Sequence, residues 1–358
     1  MNDIRRTILW VIFGFSMVML WDQWQVYNGN KATFFPSPAK TAGSTAAPAS
    51  AVTGLPTAIT TTTAAAGTAT MAQTVGTSAG APAAAVAPRE RIEVTTDVLK
   101  LTFDTQGGTI IRSEFLKHAD LNDTQKATVL LDESRDRVYV AQTGLIGGAF
   151  PNHKTPMSFS GERVLKDGAN ELVLKFQSPD LGGVRLIETY TLSRGSYAVR
   201  VKHEVVNTGT APVSPQLYLQ LVRDGNKPPG ESSFYSTFTG PAVYTDAKKY
   251  QKVEFSDIEK GKAEIEKTSS TGYVAMVQHY FASAWMLADG LVREYFARKV
   301  DNNLFAVGMI TPLKDIAPGA TQSVAAAAGQ AQGALGRGDD AAVVVADVQA
   351  QAPAAGEP

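Results

Sequence analysis

Hydrophobic and polar residues alternate with period two along most of the chain between Arg89 and Val324. Leu99, Leu101 and Phe103 alternate with Lys100, Thr102 and Asp104. Val184, Leu186, Glu188, Tyr190 and Leu192 share one parity, as do Tyr197, Val199, Val201, His203 and Val205, and again Leu217, Leu219 and Leu221. Successive side chains of a strand point to opposite faces, so this pattern predicts half-buried strands. Turn residues separate the runs at Gln106-Gly107-Gly108, Lys166-Asp167-Gly168, Leu181-Gly182-Gly183, Asn207-Thr208-Gly209 and Arg223-Asp224-Gly225-Asn226. Residues 181–205 read as a hairpin closed near Ser193–Ser196. One segment has helical character: Asp257 could cap Ile258–Lys267, although Gly261 interrupts it. Its charges predict a solvated face. Many strands at short spacing with few helices predict an all-β sandwich or barrel, and 89–324 is long enough for one large core.

Two stretches before this region follow other patterns. Residues 7–21, TILWVIFGFSMVMLW, carry no charge. As a helix at 1.5 Å per residue they reach roughly 22 Å, and a full membrane span needs about 20 residues. The run extends to Tyr27 if Asp22 and Gln23 sit among headgroups. Trp10 then lies within the span, and Trp21, Trp24 and Tyr27 form an interfacial aromatic belt. Arg5 and Arg6 place residues 1–6 on the cytoplasmic side. A cleaved signal peptide would show a small-x-small site soon after the apolar run, and the first such site, Ser37–Ala39, lies far downstream. A buried core helix would need a partner domain that the next sixty residues do not offer. The flanks therefore favour a transmembrane signal anchor over 7–27. Residues 28–88 read as a linker. Within Pro36–Pro88 only Lys40, Val52, Leu55, Ile59, Met71, Gln73, Val75 and Val86 are not Ala, Thr, Ser, Gly or Pro. Such a segment buries too little apolar surface to offset the entropy of ordering, so it is expected to be disordered. As a coil it would span roughly 40 Å and leave the orientation of the folded domain unconstrained.

Composition narrows the chemistry. The chain has 358 residues, 33 basic and 34 acidic, and a net charge of −1. No strong field exists to attract nucleic acid. Cysteine is absent, which excludes disulfides, thiolate zinc sites, iron–sulfur clusters and thiol nucleophiles. The four histidines, His118, His153, His203 and His279, show no metal-ligand spacing. No nucleophile elbow, zincin, phosphate-loop or EF-hand motif is present. No catalytic, cofactor or metal residue is assigned. His203–Glu204 and His279 are the arguable acid–base candidates. His203 lies on the apolar parity of its strand and reads as a core histidine. His279 sits in GYVAMVQHYFASAWM, whose aromatic residues, Trp285 included, read as core packing. The tripeptide Arg337-Gly338-Asp339 reads as chance.

Several long blocks in order carry a family resemblance. They are the anchor with Trp21 and Trp24, VTTDVLKLTFDTQGGTI (Val94–Ile110), YVAQTGL (Tyr139–Leu145), YTLSRGSYAVRVKHEVVNTG (Tyr190–Gly209), FTGPAVYTDAKKYQKVEFSDIEKGK (Phe238–Lys262), GYVAMVQHYFASAWM (Gly272–Met286) and FAVGMITPLKDIAPGAT (Phe305–Thr321). In these blocks the chain resembles the Gram-negative form of the YidC/Oxa/Alb membrane protein insertases. The resemblance implies an inner-membrane location with a large periplasmic β-supersandwich of galactose-mutarotase type over 89–324, without known enzymatic activity. It implies the lipid bilayer, nascent integral membrane proteins and the Sec translocon as partners, and no cofactor. In that family, insertion belongs to a following five-helix bundle with a hydrophilic groove and an embedded arginine.

The chain departs from the pattern after Val324. Residues 325–358 hold thirteen alanines and five glycines, with no aromatic residue. They read as a low-complexity tail, in the manner of a shifted reading frame or a natural disordered variant. No run of 18 apolar residues follows residue 30. The chain as given is expected not to insert substrates by itself. A sugar-binding sandwich and a partner-docking module are the alternatives.

Overall fold

The hairpin at the centre of the molecule shows how the alternation becomes structure. In Val184–Ser193 and Ala198–Asn207, buried and half-buried residues alternate without a break. The two strands pair antiparallel from Val184 opposite Asn207 to Leu192 opposite Val199. The turn closes with Ser196 N–H donating to Ser193 O at 3.2 Å, and Gly195 N–H donates to the Asp97 carboxylate at 3.0 Å. This is the hairpin expected at Ser193–Ser196.

The computed structural model describes Trp21 and residues 55–57, 89–120, 123–228, 238–278, 281–326 and 341–347. The chain divides into two units, Met1–Ala51 and Val52–Pro358. Of the first, only Trp21 is described, helical and 52% exposed. The expected anchor residues Arg5, Arg6, Trp10 and Trp24 lie outside the described residues. No helix among the described residues is long and apolar enough to cross a membrane.

The second unit is built of β1 (Arg91–Thr95), β2 (Leu99–Asp104), β3 (Thr109–Ala119), β4 (Ala127–Glu133), β5 (Val138–Ile146), β6 (Ser158–Gly161), β7 (Glu171–Gln177), β8 (Val184–Ser193), β9 (Ala198–Asn207) and β10 (Gln216–Asp224). It continues with β11 (Gly240–Thr245), β12 (Lys249–Lys252), the short helix α1 (Phe255–Glu259), β13 (Thr268–Ser269), β14 (Tyr273–Gln278), β15 (Phe281–Met286), β16 (Arg293–Asp301), β17 (Leu304–Pro312), β18 (Thr321–Ala326) and β19 (Ala341–Asp347). The first sheet runs β1-β2-β3-β4-β5-β10-β17-β16-β13, and the second β12-β11-β14-β15-β19-β9-β8-β7-β6, with β18 also on β9. All of these pairings are antiparallel.

The inner faces of the two sheets form one core. Leu217, Leu219 and Leu221 of β10, Val199, Val201 and Val205 of β9 and Leu174 and Phe176 of β7 are fully buried. Phe103, Phe176 and Tyr190 pack with ring centroids 4.9 to 5.7 Å apart, in the range of favourable aromatic contacts. Polar ties cross between the sheets. Tyr139 Oη lies 2.6 Å from Ser283 Oγ and donates to Met276 O at 3.0 Å, and Trp285 Nε1–H donates to Gln220 O at 3.0 Å. The reading of Trp285 as core is borne out.

Three expectations need correction. The helix is Phe255–Glu259, earlier and shorter than Ile258–Lys267. Asp257 lies in its first turn, and Glu254 holds the cap position without a side-chain capping bond. The chain turns at Gly261, whose φ of +67° suits glycine. The charged stretch is not wholly a solvated face, because Ile258 and Ile265 are buried in the core. The region after Val324 is not all tail: β18 runs on to Ala326, and Ala341–Asp347 forms β19.

Candidate functional site

His203 lies on the inner face of β9 and is fully buried, as its parity predicts. Its Nε2 is 2.8 Å from Thr143 Oγ1 on β5, across the sandwich. Burial pushes its pKa down to about 3, so the ring is neutral at ordinary pH. The neighbouring Glu204 is not brought to it. Adjacent strand residues face opposite ways, and Glu204 pairs on the outer face with Lys202 Nζ at 3.1 Å. His279 lies outside the described residues.

The residue that stands opposite His203 in the ladder is Glu188, on β8 and also fully buried. Burial raises its pKa to about 8, so it is protonated at neutral pH. The Tyr190 O–H donates to Gly108 O at 2.9 Å and reaches Glu188 Oε2 at 3.2 Å. Gly108 has φ +58°, and a Cβ there would lie 2.5 Å from Glu188 Oε2, so the β2–β3 turn passes close against the carboxyl. Glu188 Oε1 and His203 Nδ1 make no hydrogen bond among the described residues. The sequence signal for this cluster is a glutamate on the apolar parity of 184–192. A solute from the solvent reaches neither group without opening the sandwich. The arrangement specifies a core rather than an acid–base pair.

A second buried polar group lies on the other face of the first sheet. Tyr218 Oη accepts the His153 backbone N–H at 3.0 Å and shares a 2.5 Å hydrogen bond with His153 Nδ1. Burial pushes His153 down to about 4. An open cleft of about 570 Å³ lies beside β18, lined among others by Lys202, Asp289, Leu291, Leu313, Gln322 and Val324. Its 287–291 wall is held by Arg293, a fully buried arginine on β16. The guanidinium donates to five backbone oxygens, those of Ser270, Gly272, Leu287, Ala288 and Leu291, at 2.6 to 3.1 Å. His203 does not line the cleft. No group of three metal-ligating side chains occurs among the described residues.

These features define an antiparallel two-sheet sandwich whose polar interior is structural and whose open surface is a cleft at a strand edge. The chain belongs to the YidC periplasmic domain family, whose model matches residues 91–328. It is 47% identical over 326 residues to a membrane protein insertase YidC of Janthinobacterium sp. (strain Marseille), covering 90% of this chain and 56% of that protein. Against the insertase YidC of Bordetella parapertussis the identity is 46% over 327 residues, covering 90% and 57%. The chain thus spans a little over half the length of these relatives. Among solved structures it is similar to a galactose mutarotase-like protein from Clostridium acetobutylicum, at TM-score 0.43 and 9% identity over 73% of this chain and 98% of that one. It is also similar to a galactose mutarotase related enzyme from Lactobacillus acidophilus, at TM-score 0.40 and 8% identity over 72% and 98%.

Proposed function

We propose that this chain is the anchored, periplasmic part of a membrane protein insertase, and that its sandwich docks partner proteins rather than transforming a substrate. The observation that carries the reading is the family match over residues 91–328, together with relatives named as membrane protein insertases. Residues 7–27 hold the domain to the inner membrane, with Arg5 and Arg6 cytoplasmic and Trp10, Trp21 and Trp24 in or beside the span. The partners are the bilayer, integral membrane proteins during insertion and the Sec translocon. The enclosure of Glu188 and His203 supports binding over catalysis.

The test is site-specific photo-crosslinking of the full chain in inner-membrane vesicles, with probes at Leu291 and Gln322 on the cleft. Crosslinks to translocon subunits or to arrested nascent membrane proteins are the expected result. Exclusive crosslinking to soluble periplasmic proteins would overturn it. For the anchor, Phe13→Arg should release the chain into the carbonate-soluble fraction, and Arg5→Glu with Arg6→Glu should weaken its fixed orientation in protease-protection assays. Unchanged membrane retention of Phe13→Arg counts against the span.

A further inference from the structure

Residues 55–57 are the described part of the alanine-, threonine- and proline-rich stretch, and Leu55 packs on the sandwich. Pro56 is buried, Leu55 half-buried and Thr57 exposed. Leu55 lies against a small cluster of Ile146, Tyr218 and Ile310, beside Phe296. All four belong to the first sheet, on β5, β10, β17 and β16. Their neighbours Leu145, Leu217, Leu219, Met309 and Tyr295 point into the core between the sheets. By strand alternation the cluster therefore lies on the sheet's other face, away from the second sheet. The contacts belong to the unit that begins at Val52.

The seat is built rather than incidental. Tyr218 stands opposite Ile310 in the ladder, and Phe296 opposite Gly308. A Cβ at Gly308 would come within 2.4 Å of Phe296 Cζ, so the missing side chain lets that ring lie across the strand. The Tyr218 ring is fixed from its far end by the two hydrogen bonds to His153. The ligand is equally particular. Leu55 is the single leucine in residues 28–88, and it directly precedes a proline. A residue before proline is already restricted to extended conformations, which lowers the entropy lost on docking.

We propose that the Leu55-Pro56 step is a docking element, and that the outer face of the first sheet carries its recognition site, formed by Ile146, Tyr218, Ile310 and Phe296. The occupant is the same chain's own segment. Docking divides the linker in two. Where the anchor of the proposed function holds, the free leash between membrane and domain becomes residues 28–54 instead of 28–88. Its root-mean-square reach falls from roughly 43 Å to roughly 29 Å. The domain is then held on a shorter leash than composition alone leads one to expect.

The absence of cysteine makes the test direct. Spin labels are placed on Thr57→Cys and Lys314→Cys in the full chain in lipid nanodiscs, and their distance distribution is recorded. A single short, narrow distance is expected. Leu55→Asp, which lies outside the sandwich, should convert it to the broad distribution of a coil with an unchanged melting midpoint. Ile146→Ala should broaden it in part. A broad distribution in the parent pair, or a narrow one that survives Leu55→Asp, overturns the proposal. Mixing singly labelled chains separates a seat filled by a second copy: a short distance between chains also overturns it. Both labels lie on or beside the sandwich, so a failed anchor reading leaves this result standing.

Discussion

At the scale of single residues, the buried pair Glu188 and His203 sets how stability depends on pH. Glu188 has a folded pKa near 8, above its ordinary value of 4.5. The folded state holds an extra proton between these values, so this group's contribution falls as pH rises from about 4.5 to 8. His203 has a folded pKa near 3, below its ordinary 6.5. The unfolded state takes up the proton first, so stability falls as pH drops from about 6.5 toward 3. The two slopes oppose one another between 4.5 and 6.5. Each limb is limited to about 1.4 kcal/mol per pH unit for one proton. Chemical denaturation from pH 4 to 8.5 should show Glu188→Gln removing the loss on the alkaline side. A Gln variant that keeps the same slope between pH 6.5 and 8 would refute the assignment. His203 was legible as a core residue because one strand's parity suffices to bury it. Its partner Thr143 was not, because that contact joins residues sixty positions apart across two sheets.

At the scale of elements, hairpins and turns were readable because their signals are local. Period two gave β2, β8, β9 and β10 their inner faces, and glycine-bearing turns marked their ends. The helix was misplaced because its hold on the core comes from Ile258 and Ile265, seven residues apart on either side of a glycine turn. The charged residues between them carry the helical look. Arg293 left no sequence signal, since its role exists only once five carbonyls converge on it. Hydrogen bonds to a charged group contribute about 1.5–3 kcal/mol each and are not additive. Arg293→Met should therefore cost at least about 3 kcal/mol in denaturant titration, with faster amide exchange in 270–272 and 287–291. Exchange unchanged in those segments would argue that the arginine pins nothing. In β19, Val344 pairs with Ala284 on one side and Ala198 on the other. Proline cannot donate to a ladder in such a central place. Val344→Pro should lower the midpoint by several degrees, whereas a tail without structure would tolerate it.

At the scale of the whole molecule, the two sheets share one core and several polar ties, so they should melt together. Trp285 is the sole tryptophan beyond residue 24, and its buried indole bridges from β15 to β10. Tryptophan fluorescence and far-ultraviolet dichroism should give coincident denaturation curves. Separate transitions would mean that the sheets fold as independent bodies. Trp285→Ala should cost about 3–5 kcal/mol by opening a cavity in the shared core. The all-β class was legible from alternation alone, and the family from its long sequence blocks. The pairing of strands in space was not, because β9 meets β18 and β19 from more than a hundred residues away.

That last pairing has a consequence for the order of events. One edge of β9 is divided between β18, opposite Val201–Val206, and β19, opposite Ala198–Val201. Both partners follow β9 by more than a hundred residues. During synthesis at roughly 5–20 residues per second, β9 is complete roughly 7–30 s before β19 emerges. Through that interval the second sheet has a hydrophobic, unpaired border in its middle. That border stays open in the nascent domain until β18 and β19 arrive, and until then it is a site where another strand could pair.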